Sequence, residues 1–495
     1  MLTQNTVDQF RSKPLAAQNM FVDGKWVTSS SSAIRDVISP IDGTVITTTA
    51  RGTKEDVNLA VSAARNSYNK GAWSRSEPAF RKRILHRIGE LISEHAIELA
   101  VLGTRDNGTE IQTSIMSEPG SSAATFHHSA ECIDKLYGEI APTGSATLGL
   151  IHKVPVGVVG VIVPWNAPLM ITAWNISAAL AIGNSVVLKP AEDASLAVLR
   201  MTELCAEAGL PEGVLNVVTG SGSEVGNAIA RHMDVDVLAF TGSGEVGRQL
   251  LHASAEANLK RVYLELGGKS PNIVFADAPD LDKAASISTK AFFKNAGQIC
   301  VSPSRLLVEA SIHDEFIAKV VESAEAIFVG NPLDVDSQMG AITNDAQMDT
   351  IKRCVADAIT DGGDVLTGGT AINERTGGNY FAPTIVGRVS ADHKLFKNEV
   401  FGPVLSVTPF ATEEEALELA NSTVYGLASC VWTNSLSRAH RMVAGIESGM
   451  VQVNSFGPID NVAPLGGVKQ SGNGVDKSLH AFEKYTNFKT AWIHL

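Results

Sequence analysis

At 495 residues, with 44% hydrophobic and 19% charged residues, the chain is too long for one hydrophobic core. It has the make-up of an ordinary globular protein of two or three domains rather than a disordered one. A net charge of −13 disfavours nucleic acid or any other polyanion as the main partner, and no cluster of Lys and Arg overturns this.

In chain order, the polar start, Met1 to Arg11, lacks the apolar core of an export signal. The doublet His127-His128 has no zinc-type spacing and reads as helix or surface, so no metal is expected. From about residue 154, helices and short apolar strands alternate, the pattern of parallel α/β sheets. The longest apolar run, Val154 to Val163, is broken by Pro155 and Gly157 and is about half the ~20 residues a bilayer requires, so no membrane association is expected. Val156 to Val163 predicts a buried strand, Pro164-Trp165-Asn166-Ala167-Pro168 a loop, Ile171 to Ala181 a helix and Ser185 to Leu188 a strand. After Lys189-Pro190-Ala191-Glu192, a helix from Ser195 to Ala208 is stopped by Gly209 and Pro211. Leu215 to Val218 predicts a strand, Gly220 to Gly226 a glycine turn and Val235 to Phe240 a further strand. A second series begins near Ser270, with strands at Pro271 to Phe275, Arg305 to Val308 and Val404 to Pro409, and a helix from Leu281 to Phe293. Glu413-Glu414-Glu415 reads as the first turn of a helix.

Three segments carry chemistry. Gly242-Ser243-Gly244-Glu245-Val246-Gly247 fits G-x-G-x-x-G, follows an apolar strand and opens a helix, the setting in which glycines admit a dinucleotide pyrophosphate to a helix N-terminus. In isolation it is equally a tight strand-to-helix turn. Leu264-Glu265-Leu266-Gly267-Gly268-Lys269 places a carboxylate at a strand end, where it serves as a base, as the ribose ligand of a Rossmann fold, or merely as a solvated charge. Asn295-Ala296-Gly297-Gln298-Ile299-Cys300 offers a thiol that is either a nucleophile or a small buried hydrophobe. The five cysteines (Cys132, Cys205, Cys300, Cys354 and Cys430) are an odd number without a close pair, which points away from a disulfide framework and toward a reducing cytoplasm.

Together these segments resemble the aldehyde dehydrogenase superfamily over nearly the whole chain. The resemblance implies an α/β protein with a Rossmann-like cofactor domain (1–135 and 156–267), an α/β catalytic domain (268–476) and a small β oligomerisation arm (136–155 and 477–495), assembling as a homodimer or homotetramer. It makes Cys300 the nucleophile, Glu265 the base that activates water, and Asn166 the oxyanion donor. Lys189 orients the ribose and supports the thiol. The cofactor site so implied comprises Val163, Pro164, Trp165, Lys189, Glu192, Gly222, Gly226, Phe240, Thr241, Gly242, Ser243, Val246, Leu266, Glu399 and Phe401. A carboxylate such as Glu192 at the ribose repels a 2′-phosphate, so NAD is favoured over NADP.

The stretch Lys469-Gln470-Ser471-Gly472-Asn473-Gly474, with Asp476-Lys477-Ser478-Leu479-His480, looks like the subgroup acting on ω-amino and γ-glutamyl-amino aldehydes. The substrate positions depart from it. Ala167, Lys294 and Leu465 stand where the family usually has aromatics, and the loop Ser455 to Ala463 is distinct. A pocket lined by Ala167, Ile171, Trp174, Lys294, Ile299, Val301, Ile459 and Leu465 is roomy and apolar, with a lysine unwelcoming to a cation. A bulky apolar aldehyde, aromatic or terpenoid, is therefore expected, with an amino-aldehyde as the alternative and a non-enzymatic family descendant as a remote one. Neither a catalytic zinc set nor a Tyr-x-x-x-Lys pair supports an alcohol dehydrogenase.

Overall fold

The computed structural model describes residues 2–457 and 459–495, and its strands fall mainly into two seven-stranded sheets and a three-stranded one. The first sheet has the spatial order Arg261–Glu265, Val237–Thr241, Val158–Ile162, Ser185–Lys189, Leu215–Val217, Met20–Val22, Lys25–Val27. Its first five strands run parallel, and the N-terminal pair closes the edge antiparallel. Val158–Ile162 and Ser185–Lys189 are buried at every position, as central parallel strands covered on both faces must be. The helix Pro168–Ile182 is apolar all round because it is enclosed between the sheet and neighbouring helices. Pro168 starts it at the position where a missing N–H costs nothing, and Gly183, with φ of +105°, ends it.

The second sheet has the order Asp364–Thr367, Thr384–Gly387, Val404–Phe410, Arg305–Glu309, Pro271–Val274, Ala428–Trp432, Met450–Val453, parallel except at its first pair. One apolar core lies around it, including Phe275, Phe292, Phe316 and Trp432, and two others cover the faces of the first sheet. The third sheet pairs Thr486–His494 with Thr147–Pro155, and that strand with Glu139–Ala141. Among the described residues, no helix is long and apolar enough to cross a membrane.

Most elements lie within two residues of their expected bounds. The segment Gly220 to Gly226 is an exception: it is more than a glycine turn. Ser221 accepts from Glu224 N at 3.1 Å and caps a wide helical turn, Gly222–Gly226, that runs on into the helix Asn227–Arg231.

Candidate active site

The register of the first sheet aligns its chemistry at the carboxyl ends of the strands. Ile162 pairs with Lys189, Phe240 with Ile162, and Thr241 with Glu265. Ligands of open α/β sheets bind in this position. Beyond Thr241, the helix Gly244–Glu256 begins with Ser243 as its cap, accepting from Val246 N at 3.3 Å. Gly242 lies against the Phe240 ring and Gly247 against Leu266, where a Cβ would come within 2.5 Å and 3.1 Å respectively, so both glycines permit close packing at the helix start. Val246 is exposed beside it, and Gly222 has open space around its Cα. Lys189 is buried, its Nζ donates to Pro190 O at 2.9 Å, and burial lowers its pKa to about 8 against the opposing pull of Glu192. A buried cation beside a half-exposed carboxylate, at the same end of the sheet as a helix N-terminus two strands away, fits the sugar and phosphates of a dinucleotide.

Glu265 closes the edge strand, and the Ser471–Gly474 segment clamps that edge. Leu264 O accepts from the Asn473 and Gly474 amides, Asn473 Oδ1 accepts from Leu264 N at 2.9 Å, and Leu266 N donates to Ser471 O. Gly472, at φ of +115°, would place a Cβ 2.0 Å from Leu264 O, so only glycine passes here. Glu265 Oε1 is shielded and has no hydrogen-bond partner among the described residues. Burial raises the Glu265 pKa well above the usual carboxylate range, with Asp476 adding to the shift and Lys484 opposing it.

Asp476 and Lys484 form a fully buried ion pair behind this carboxylate. Lys484 Nζ also reaches Asn175 Oδ1 at 3.4 Å, and Tyr485 Oη donates to the same oxygen at 2.7 Å. On the expectation that Glu265 acts as the base, replacing Lys484 by Met should move the acid limb of the rate profile to higher pH, because a protonated Glu265 then persists further upward. It should also cost about 3–5 kcal/mol of stability by stranding Asp476. A stopped-flow pH profile with thermal unfolding measures both, and an unmoved limb would show that the pair does not act on Glu265.

Cys300 follows a left-handed turn at the end of the helix Leu281–Phe293: Asn295, Ala296 and Gly297 have φ of +50°, +51° and +71°. Strained non-glycine backbone of this kind persists only where its surroundings hold it, and the surroundings are visible. Asn295 N donates to Glu110 Oε1 at 3.1 Å, its Oδ1 accepts from Thr109 Oγ1 at 2.8 Å, and Gln298 Nε2 donates to Asn295 O. Asn166 Nδ2 donates to Gln298 O at 2.9 Å, which fixes the amide and leaves its second N–H free. The buried Glu118 carboxylate accepts from Leu169 N and Met170 N, capping the helix that follows Asn166. Gly268 packs so closely that a Cβ there would lie 2.6 Å from Cys300 O, which brings the Glu265 segment against the thiol. Burial, then Glu399 and Glu265, push the Cys300 thiol up to about 12, so at rest it is a thiol and not a thiolate.

Glu399 Oε1 accepts from Gly268 N at 3.1 Å, and Gly267 leaves the room its carboxylate occupies. Burial raises it to about 7. Phe401, at φ of +57°, meets Trp165 edge-on at 5.3 Å. Gln347 Nε2 holds the turn through Val400 O and Phe401 O.

Of the expected substrate residues, Ile171 is 3% exposed and packs in the core cluster, whereas Ala167 and Trp174, with Met170, are half-buried. Ile299, Val301 and Ile459 are half-buried and Leu465 is buried at 9%. Residue 458 of the Ser455 to Ala463 loop lies outside the described residues. Lys294 ends its helix beside Glu110, whose ionised form it favours. The cation seated on the Trp174 wall is Lys477, whose Nζ lies 5.2 Å from the ring centroid and donates to Ile459 O at 2.9 Å.

A shielded carboxylate, an oriented amide and a dinucleotide cradle at the carboxyl ends of the first sheet, with the Cys300 turn of the second packed against them, equip a site for covalent oxidation of a carbonyl compound. Comparison with known proteins agrees. The model of the aldehyde dehydrogenase family matches residues 26–491, and the chain belongs to that family. It is 45% identical over 488 residues to the NADP/NAD-dependent aldehyde dehydrogenase PuuC of Escherichia coli, covering 98% of each chain. It is 41% identical over 481 residues to a phenylacetaldehyde dehydrogenase of Pseudomonas fluorescens, covering 96% of this chain and 95% of the other. The solved indole-3-acetaldehyde dehydrogenase of P. syringae, in complex with NAD+ and IAA, superposes with a TM-score of 0.98 at 46% identity over the full length of both chains. The fold is therefore the aldehyde dehydrogenase fold, and the protein is an NAD(P)-dependent aldehyde dehydrogenase.

Proposed function

We propose that this enzyme oxidises a bulky apolar aldehyde, aromatic or terpenoid, to its carboxylic acid with NAD, through a thiohemiacetal and a thioester on Cys300. In this reading Cys300 Sγ adds to the carbonyl carbon as its proton passes to solvent water, and the free N–H of Asn166 with the Cys300 amide stabilises the resulting oxyanion. A bound nicotinamide would supply the hydride acceptor for that adduct. Lys189 and Glu192 hold the adenosine ribose, and Glu399 and Phe401 hold the nicotinamide end. Glu265 then takes a proton from water, which attacks the thioester and frees the acid and the thiol. The carboxylate in place of a non-basic residue at 265 favours water over another acyl acceptor.

The observation that carries the substrate class is the wall at Trp174. Its neighbours on the helix face are Ala167 and Met170, and the chain's own ammonium, Lys477, already occupies the aromatic face that would attract a cationic substrate. The P. syringae and P. fluorescens relatives are named for aryl-acetaldehydes, whereas a P. aeruginosa relative at 41% identity is named for aminoacetaldehyde. A panel of benzaldehyde, a terpenoid aldehyde and 4-aminobutanal, each with NAD and NADP, tests the reading. We expect kcat/KM for the apolar aldehydes to exceed that for the amine roughly tenfold or more, the scale of one desolvated charge contact. A tenfold preference for 4-aminobutanal would overturn it.

The same reading divides the chain into a cofactor domain (1–135 and 156–267), a catalytic domain (268–476) and an arm (136–155 and 477–495). The arm's exposed Phe488, Trp492 and Ile493, on the edge strand Thr486–His494, suit burial against a second copy in a dimer or tetramer.

A further inference from the structure

The strand Met450–Val453 closes one edge of the second sheet, and two side-chain amides at its end bind backbone as a neighbouring strand would. Asn454 Oδ1 accepts from Thr433 N at 2.9 Å, and its Nδ2 donates to Thr433 O at 2.8 Å. Gln452 repeats this on the chain ahead of it: Nε2 donates to Gly457 O at 2.9 Å, and Oε1 accepts from Gly457 N at 3.0 Å. Cys430, the register partner of Gln452 on the adjoining parallel strand, donates from Sγ to Ser455 O at 3.1 Å. The chain therefore leaves the sheet under the control of side chains. Gln452 takes both the donor and the acceptor of one residue, which fixes the orientation of the backbone there.

The far part of the same loop is held from the C-terminal segment. Lys477 Nζ donates to Ile459 O at 2.9 Å, and Ser478 N donates to Asn461 O at 2.7 Å. Both donors come from strained backbone. Lys477 has φ of +61°, and Ser478 has φ of +50° with ψ of −172°, a region left almost wholly to glycine. Such backbone persists only where its surroundings over-determine it, and it gathers at functional sites. Here it turns two donors toward one loop, and the same Lys477 Nζ lies over the Trp174 ring at 5.2 Å. One ammonium thus joins the loop to the Trp174 wall. The hydrogen bonds that fix Asn166 and the Glu265 strand come from elsewhere, from Gln298 and from the Ser471–Gly474 segment.

We propose that Gln452 and the Lys477–Ser478 pair determine which aldehydes the enzyme accepts, as positioning residues that fix the 455–463 loop beside Trp174 as the outer wall of the substrate site. The proposal rests on the reading above that Trp174 lines that site. Steady-state kinetics at saturating NAD+ on the full-length wild type, Gln452→Ala and Gln452→Glu compares propanal with benzaldehyde and a terpenoid aldehyde. Gln452→Ala should lose roughly tenfold in kcat/KM for the two bulky aldehydes, chiefly through KM, the scale of one or two lost apolar contacts. Propanal depends on Cys300 and Asn166 and should stay within about twofold of wild type. Gln452→Glu keeps the size of the side chain but sets a carboxylate oxygen against Gly457 O. It should show the same selective loss even if Gln452→Ala proves unstable. A merely structural role lowers all three aldehydes alike. That result, or an unchanged ratio of bulky to short substrate in both variants, would overturn the proposal. Trp174→Ala, measured alongside, reports on the wall itself. A selective loss there with none in the Gln452 variants sinks the part of the loop alone, whereas no selective loss at Trp174 removes the wall and the proposal with it.

Discussion

Cys300→Ala should abolish aldehyde oxidation while NAD+ binding stays within a few-fold of wild type. Every bond change proposed for the substrate carbon runs through Sγ, so no partial pathway remains once it is gone. What is left is an oriented amide and a cofactor cradle, which position an aldehyde but cannot form an adduct. The proposed cradle is built on other strands: Lys189 ends Ser185–Lys189 and Glu192 follows it, and the capped helix follows Val237–Thr241. Nothing in it depends on the sulfur. Cys205 and Cys430 are buried and, like Cys300, burial pushes each of their thiols up to about 12. Depressed acidity therefore does not single out the nucleophile. What distinguishes Cys300 is its address, half-exposed at the mouth of a left-handed turn with Asn166 oriented beside it. Intact-mass measurement with a slow substrate should show one acyl group on the wild type and none on the variant. Aldehyde turnover by Cys300→Ala at a comparable rate would place the nucleophile elsewhere.

The resting thiol has a further consequence. Its proton must leave as the carbonyl arrives, and both nearby carboxylates oppose the thiolate. Turnover should therefore rise with pH through the neutral range, in the same direction as the raised Glu265 requires for its own deprotonation.

Much of this site could be read along the chain, because its reactive groups sit in short contiguous motifs. Strand, glycine turn and helix succeed one another around Gly242, and Cys300 follows a helix whose bounds, Leu281 to Phe293, are those expected. The supporting groups could not be read in that way. Glu110 and Thr109 hold Asn295 from a distant helical layer, and Asp476 and Lys484 come back beneath Glu265 from the C-terminal segment. Spacing within a segment says nothing about which remote segment will cross a sheet edge. The Ser-Gly-Asn-Gly stretch could be seen only as a subgroup likeness, whereas its physical task is to cap the edge strand carrying Glu265, with Gly472 admitted where no other residue fits. A helix apolar on all sides has no pattern to tell an open face from a core face, and only packing shows Met170 half-buried and Ile171 buried.

Glu265→Gln should leave the first half of the reaction nearly intact and arrest the second. The amide preserves the shape of the side chain but cannot take a proton from water, and losing a positioned general base typically costs about 10²–10⁴ in rate. Reduced cofactor should appear in a burst of close to one equivalent per active site, followed by slow turnover, with the thioester accumulating on Cys300. A ribose-binding Glu265, the alternative that the glycine turn by itself allows, predicts the reverse: weaker NAD+ binding and no burst. The geometry favours the base. Gly268, three residues on, presses against Cys300 O, while Oε1 has no hydrogen-bond partner among the described residues and burial raises the carboxyl well above the usual range. A carboxylate dedicated to ribose would need to remain charged, the part proposed above for Glu192 after Ser185–Lys189. Rapid-quench kinetics with NAD+ titration separates the two: normal affinity with a burst keeps Glu265 as the base, and impaired affinity without one reassigns it.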